Sequence, residues 1–199
     1  AESIPQKGSV SEGDVAHSAP AARNFYGATG NGVSVGVISD SVDYLAQTQA
    51  TGDLPAVTVL SDTSGSGEGT AMLEIVYDLA PDAALLFASD LNGGPAGMVN
   101  AIQSLTQAGA DIIVDDLFFL NQSPFQDDVI AQAAEDAISA GVAYFTSAGN
   151  YGNRNDITSS VFEGDYRSSG LPLNEPGTGN TYPDIHLFAP GVFYNEILA

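Results

Sequence analysis

Four short polar segments of this 199-residue chain contain the side chains that could carry out chemistry. They are residues 39–41 (Ser-Asp-Ser), 67–70 (Gly-Glu-Gly-Thr), 115–116 (Asp-Asp) and 147–150 (Ser-Ala-Gly-Asn). Carboxylates accept and release protons, and hydroxyl and amide groups donate hydrogen bonds to developing negative charge. Cysteine is absent, which excludes thiolate chemistry, disulfides and cysteine-ligated zinc.

The elements around these segments predict that they converge in space. Three of the segments directly follow apolar runs that are typical of buried strands, and Glu68 opens a stretch with helical spacing of Met72, Val76 and Leu79. In an open parallel sheet, ligands bind beyond the carboxyl ends of the strands. We therefore expect the four segments to lie along one edge of a sheet.

The pattern along the chain indicates an α/β fold. Predicted strands occupy residues 33–38, 57–60, 84–88, 111–114 and 142–145, and predicted helices occupy residues 68–79, 95–109 and 123–140. Strands that alternate with helices of this length imply right-handed crossovers and a mostly parallel sheet. Because the strand runs are continuously apolar, we expect helices on both faces, which is a doubly wound architecture.

Three regions are predicted. Residues 1–30 are small and polar and indicate an extended arm with one helical turn at 21–26. Residues 31–155 form the α/β core. Residues 156–199 are rich in Gly, Asn, Ser and Pro and indicate an irregular segment, with one strand candidate at 192–194.

The charge composition limits the partners. The chain has 4 Lys plus Arg against 25 Asp plus Glu, which gives a formal net charge of −21. So few cations cannot neutralise a phosphate backbone or an anionic lipid surface, so nucleic acid and membranes are excluded as partners. An acidic, cation-poor chain whose first residues lack signal-peptide features favours a secreted protein from which any signal has been removed.

The polar segments resemble those of subtilisin-like serine proteases, in the same order and spacing over residues 31–155. Residues 35–43 resemble the strand that carries the catalytic aspartate, and residues 68–70, with the following helix and Ala80-Pro81, are similar to the His-Gly-Thr helix. Residues 110–117 resemble the strand that lines the substrate cleft. Residues 147–150 resemble the Ala-Ala-Gly-Asn segment whose asparagine serves the oxyanion hole.

One departure from the subtilisin pattern points to a particular group of related proteases. Glu68 stands where subtilisins have histidine, as in the acid-acting sedolisins. Sedolisins, however, carry Asp at the positions of Met72 and Asn150. The chain therefore resembles the bacterial sedolisin-like branch of the subtilisin/sedolisin clan.

The resemblance implies a serine-type endopeptidase that acts on a polypeptide at acidic pH. Asp40, Glu68 and Asn150 are the implied catalytic residues and Asp116 an implied substrate-binding residue. Glu68 would be the base, its pKa raised by a neighbouring carboxylate. A gapless comparison places the family aspartate at Ser39, so the partner of Glu68 is either Asp40 or Asp43.

The family nucleophile is not found in the sequence. It belongs to a Gly-Thr-Ser segment, which residues 1–199 do not contain. We therefore expect the serine to lie outside this chain, the chain alone to be inactive, and its own C-terminal portion to be a partner. The alternative is a pseudoprotease that serves as a binding or assembly module. No cofactor is implied, although Asp115 and Asp116 offer the oxygen ligands that calcium prefers, without a recognisable ligand loop.

Overall fold

The computed structural model describes residues 10–90, 93–119, 122, 126–149, 167–174, 181–187 and 190–191. The chain divides into two compact units, residues 1–147 and 148–199. The predicted boundaries after residues 30 and 155 remain predictions.

The first unit is built on a parallel sheet of five strands. They are β1 (Ser34–Ser39), β2 (Val57–Ser61), β3 (Ala84–Ser89), β4 (Ile112–Asp115) and β5 (Ala143–Thr146). The strand order is β2-β3-β1-β4-β5, and every neighbouring pair is parallel. The predicted α/β class with a parallel sheet is confirmed for this unit.

Six helices accompany the strands in the described part of the first unit. They are α1 (Glu12–Ala16), α2 (Ala19–Tyr26), α3 (Leu45–Thr51), α4 (Glu68–Leu79), α5 (Pro95–Gln107) and α6 (Val129–Ser139). Successive residues of β1 belong to different apolar clusters: Val37 packs with Leu73 of α4, and Ile38 packs with Ile102 of α5. Because successive strand residues point to opposite faces, helices cover both faces of the sheet, as predicted.

Two expectations for helices need correction. The helical turn expected at residues 21–26 lies within α2, but residues 10–30 also contain α1, so this part of the chain is not an extended arm. Helix α6 begins at Val129, where Oδ1 of Asp128 accepts the N–H of Val129 at 2.9 Å, and not at Ser123. Residues 123–125 lie outside the described residues. Among the helices described, none is long and apolar enough to cross a bilayer.

The second unit is described only in part. A short antiparallel pair joins β6 (Leu173–Asn174) to β7 (Thr181–Tyr182), and an isolated bridge pairs Ser168 with His186. The strand predicted at residues 192–194 lies outside the described residues.

Candidate active site

The polar segments after β1 and β4 lie at the same edge of the sheet. β1 pairs with β4 so that Ile38 is opposite Asp115. The residues that follow these two along the chain are Ser39, the last residue of β1, and Asp116, the first residue after β4. Helix α4 begins at this edge with Glu68, whose N–H lies 3.2 Å from Oδ1 of Asp40. The predicted convergence of Asp40, Glu68 and Asp116 is therefore present in the structure.

Side chains from the end of β1 cap the first turn of α4. The opening N–H groups of a helix have no partner within the helix. Asp40 accepts hydrogen bonds from the N–H of Glu68 and from the N–H of Ser66, and Oγ of the buried Ser41 accepts the N–H of Gly67 at 2.8 Å. These bonds fix the position of Glu68 relative to the sheet.

Glycine at position 69 allows the helix to approach the sheet this closely. A Cβ there would lie 2.4 Å from Cε2 of Phe87 and 2.6 Å from the carbonyl oxygen of Ser41. Gly67 precedes the helix with φ of 80°, a left-handed conformation that favours glycine. The Gly-Glu-Gly sequence therefore places Glu68 at the sheet edge for steric reasons.

The side chain of Glu68 meets a second carboxyl group. It lies close enough to the carboxyl of Asp116 for the two groups to interact, and its Oε2 accepts the hydroxyl of the buried Ser39 at 3.4 Å. Two neighbouring carboxyl groups cannot easily both be ionised. Burial and the negative charges of Asp116 and Asp40 raise the pKa of Glu68 above its ordinary value.

Asp40 has the opposite electrostatic character. Burial raises the pKa of its carboxyl, but hydrogen bonds from the Ser66 hydroxyl and from the N–H groups of Ser66, Ser41 and Glu68 outweigh burial and leave the pKa below its ordinary value. Asp40 therefore stays ionised. Its charge acts on Glu68, but the larger charge effect on the Glu68 carboxyl comes from Asp116.

Asp43, the other sequence candidate for the partner of Glu68, holds the loop before α4. Its Oδ2 accepts the N–H of Gly65 at 3.0 Å and the hydroxyl of Ser64 at 3.2 Å, and its carbonyl oxygen accepts the hydroxyl of Thr70 at 2.8 Å. Of the two candidates, Asp40 is the one that contacts Glu68.

Asp115 is buried, with 3% of its surface exposed. Its Oδ2 accepts the hydroxyl of Tyr144 at 2.7 Å, and its Oδ1 accepts the hydroxyl of Thr146 at 2.8 Å. Burial raises the pKa of Asp115, although the hydroxyls of Tyr144 and Thr146 and the N–H of Leu117 oppose that shift. The sequence showed Asp115 only as a carboxylate of the kind that calcium prefers, without a ligand loop, and the pairing of Asp115 with Thr146 reveals these contacts.

Asp90 is a further acidic residue at this edge that sequence reasoning missed. It directly follows β3, which pairs with β1 so that Ser89 is opposite Ser39. Burial raises the pKa of Asp90, and the charge of Asp40 adds to that effect. The signal that singled out Asp40 and Asp116, an acid directly after an apolar strand, would have found it.

Two sequence expectations receive no structural account. Asn150, the implied oxyanion donor, lies outside the described residues. Within the described ranges, no group of three or more His, Asp or Glu side chains could hold a metal ion.

The described architecture is the subtilisin-like α/β fold. The chain is similar in structure to MycP1 with its N-terminal propeptide removed (TM-score 0.53, 19% identity, 83% of this chain and 53% of that chain). It is also similar to the prenylagaramide maturation protease PagA (TM-score 0.51, 19% identity, 66% and 51%) and to a lanthipeptide protease (TM-score 0.51, 20% identity, 72% and 48%).

The chain spans about half the length of these solved structures. No protein-family model and no curated protein matches its sequence. The similarity therefore establishes the fold, and the identity of the catalytic groups rests on the site itself.

Proposed function

We propose that the protein is a serine-type endopeptidase of the sedolisin-like branch, in which Glu68 takes the role of the base. One observation carries the proposal: on a protease fold, the helix at the carboxyl edge of the sheet begins with a glutamate whose side chain lies beside a second carboxyl, that of Asp116. A neighbouring negative charge raises the pKa of a glutamate and so strengthens it as a base.

The proposed reaction uses Glu68 twice. Its carboxylate accepts the proton of a serine hydroxyl as that oxygen attacks the peptide carbonyl, and the resulting carboxylic acid then protonates the leaving amine. The serine is proposed to lie outside residues 1–199, because no Gly-Thr-Ser occurs in them. The amide of Asn150 is proposed to donate to the oxyanion.

The other two carboxyl groups have different proposed roles. Asp40 is bound by the first turn of α4, so it holds Glu68 in place and contributes a fixed negative charge. Asp116 faces Glu68 directly and raises its pKa, in addition to the proposed contact with substrate. The base therefore depends on two neighbours, one for position and one for proton affinity.

The proposal predicts activity in acid. Glu68 must be deprotonated to act as a base, so the rate rises as the pH increases through its pKa. The ordinary pKa of glutamate is about 4.3 and that of histidine about 6.5, so a glutamate base remains active at pH values where imidazole is protonated. Extracellular action on polypeptides belongs to the same proposal, supported by the acidic composition.

Hydrolysis of denatured casein by the complete protein between pH 3 and pH 9 tests the proposal. We expect a maximum on the acid side and a loss of about 10²-fold or more in Glu68→Gln, the range that a general base supplies. Asp136→Asn, which changes an exposed carboxyl on α6, is the matched control. Activity that is lost below about pH 6.5, where imidazole is protonated, would contradict a glutamate base, and a folded protein that binds polypeptide without cleaving it would identify the pseudoprotease.

A further inference from the structure

Asp115 is placed where a strand normally ends in an apolar residue. The three preceding residues of β4, 112–114, are Ile-Ile-Val, and Asp115, with 3% of its surface exposed, is buried like Ile113, whereas Ile112 and Val114 are half-buried. A buried carboxyl is costly unless it is hydrogen-bonded. Asp115 meets this requirement with the hydroxyls of Tyr144 and Thr146.

These hydrogen bonds anchor the end of β4, which leads directly into Asp116. The hydroxyls of Tyr144 and Thr146 connect the Asp115 carboxyl to β5. From the other side, the N–H of Asp116 donates to the carbonyl oxygen of Ile38 in β1 at 3.4 Å.

We propose that Asp115 is a positioning residue of the site, which holds Asp116 against Glu68 and is itself anchored by Tyr144 and Thr146. Asp115 has no described contact with Glu68, so its effect passes through Asp116. The relevance to catalysis rests on the proposed function. The positioning itself is a property of the protein that can be measured without a substrate.

If Asp116 is held less firmly, the pKa of Glu68 should change in a predictable direction. The ionisable groups that face Glu68 are Asp116 from the end of β4 and Asp40 from the end of β1. Those that face Asp115 are Tyr144 from β5 and Asp116. If Asp116 moves away, its charge acts less strongly on Glu68, so the pKa of Glu68 falls towards its ordinary value.

The test is the pKa of Glu68, measured by carbon-13 NMR titration of side-chain carboxyls in glutamate-labelled protein, with the Glu68 signal assigned from its loss in Glu68→Gln. The fall in the Glu68 pKa in Asp116→Asn is the reference with which the other variants are compared. We expect Tyr144→Phe and Thr146→Val each to produce a smaller fall in the same direction, and Thr146→Ser, which keeps the hydroxyl, to retain the wild-type pKa. Tyr26→Phe on exposed α2 and Thr106→Val, whose hydroxyl donates within α5, are the controls.

A double variant separates positioning from an independent effect. If Tyr144 acts through Asp116, adding Tyr144→Phe to Asp116→Asn lowers the pKa no further. A further fall, or a wild-type pKa in both Tyr144→Phe and Thr146→Val, would overturn the positioning role while leaving the proposed function intact. An unchanged pKa in Asp116→Asn would instead overturn the carboxyl pair on which the proposed function depends.

Discussion

Asp40 contacts Glu68 through the main chain: Oδ1 of Asp40 accepts the N–H of Glu68 at 3.2 Å, while the Glu68 side chain lies beside the carboxyl of Asp116. The two acidic neighbours of Glu68 therefore do different things. Asp40 has a lowered pKa and caps the helix, and the negative charge of Asp116 raises the pKa of Glu68. A carboxyl group held in this way has the raised pKa that a base working in acid requires.

Replacing Asp40 should destabilise the protein. Asp40→Ala removes the acceptor for the N–H groups of Ser66 and Glu68, and the loss of a helix cap costs about 1 kcal/mol of the free energy of unfolding. Urea denaturation measures the difference, with the exposed Asp136→Ala as the control. Equal stability of the two variants would contradict the capping role.

The contribution of Asp40 should also depend on pH. Because its native pKa is lowered, its stabilisation is fully present above the ordinary aspartate pKa of 3.8 and is lost as the pH falls through the native value. The difference between wild type and Asp40→Ala should therefore shrink in urea titrations below pH 3.8. A difference that stays constant through that range would argue against an ionised cap.

Asp116→Asn should shift the pH dependence of catalysis. It removes a negative charge and a carboxyl partner that raise the pKa of Glu68, so Glu68 loses its proton at lower pH. In the complete protein, the acid limb of kcat/KM should move to lower pH, and Asp136→Asn should leave it in place. A shift to higher pH would have the wrong sign for this arrangement.

Gly69→Ala should be poorly tolerated. The added methyl group would lie 2.4 Å from the Phe87 ring and 2.6 Å from a backbone oxygen, so α4 must move away from the sheet. Overpacking of this kind costs about 1–3 kcal/mol of the free energy of unfolding. Gly13→Ala on α1, where the new atom meets only ordinary contacts beyond 3.5 Å, is the control. Thermal denaturation that shows the same melting temperature for both variants would contradict the close approach.

Arg23 should stabilise the N-terminal helices against α4. Its Nη1 donates to Oδ1 of Asp14 at 2.7 Å and to the carbonyl oxygen of Leu79, at the end of α4, at 2.9 Å. Arg23→Met leaves the buried Asp14 without this cation, which costs about 3 kcal/mol. Urea denaturation of Arg23→Met tests this stabilising role, with Arg167→Met as the control. If Arg23→Met and Arg167→Met were both as stable as the wild type, the role of Arg23 would be refuted.

The sequence could predict that the site residues converge, because this follows from the positions of the strand ends alone. Apolar runs fix where the strands end, and parallel strands bring their carboxyl ends to one edge. The residues after them, including Asp40 and Asp116, must therefore be near neighbours. The sequence could not predict which acid caps the helix and which lies beside the Glu68 side chain. That difference depends on how each carboxyl meets the loop before α4.

Other parts depend on contacts between distant residues. The hydroxyl partners of Asp115 require the register between β4 and β5, which the sequence does not encode locally. Helices α1 and α2 have a polar, Gly/Ser/Ala-rich sequence, and the ion pair between Arg23 and Asp14 is a contact that periodicity does not reveal. At the start of α6, residues 126–128 are not helical, and the hydrogen bond from the N–H of Val129 to Asp128 marks a start that the predicted helix at 123–140 did not locate.

The most direct test of the central claim is labelling of the complete protein with a fluorophosphonate, which reacts with a serine only when a base activates it. We predict labelling of the wild type at acidic pH, a rate lower by about 10²-fold or more in Glu68→Gln, and no change in Asp136→Asn. Labelling of Glu68→Gln at the wild-type rate would contradict the account.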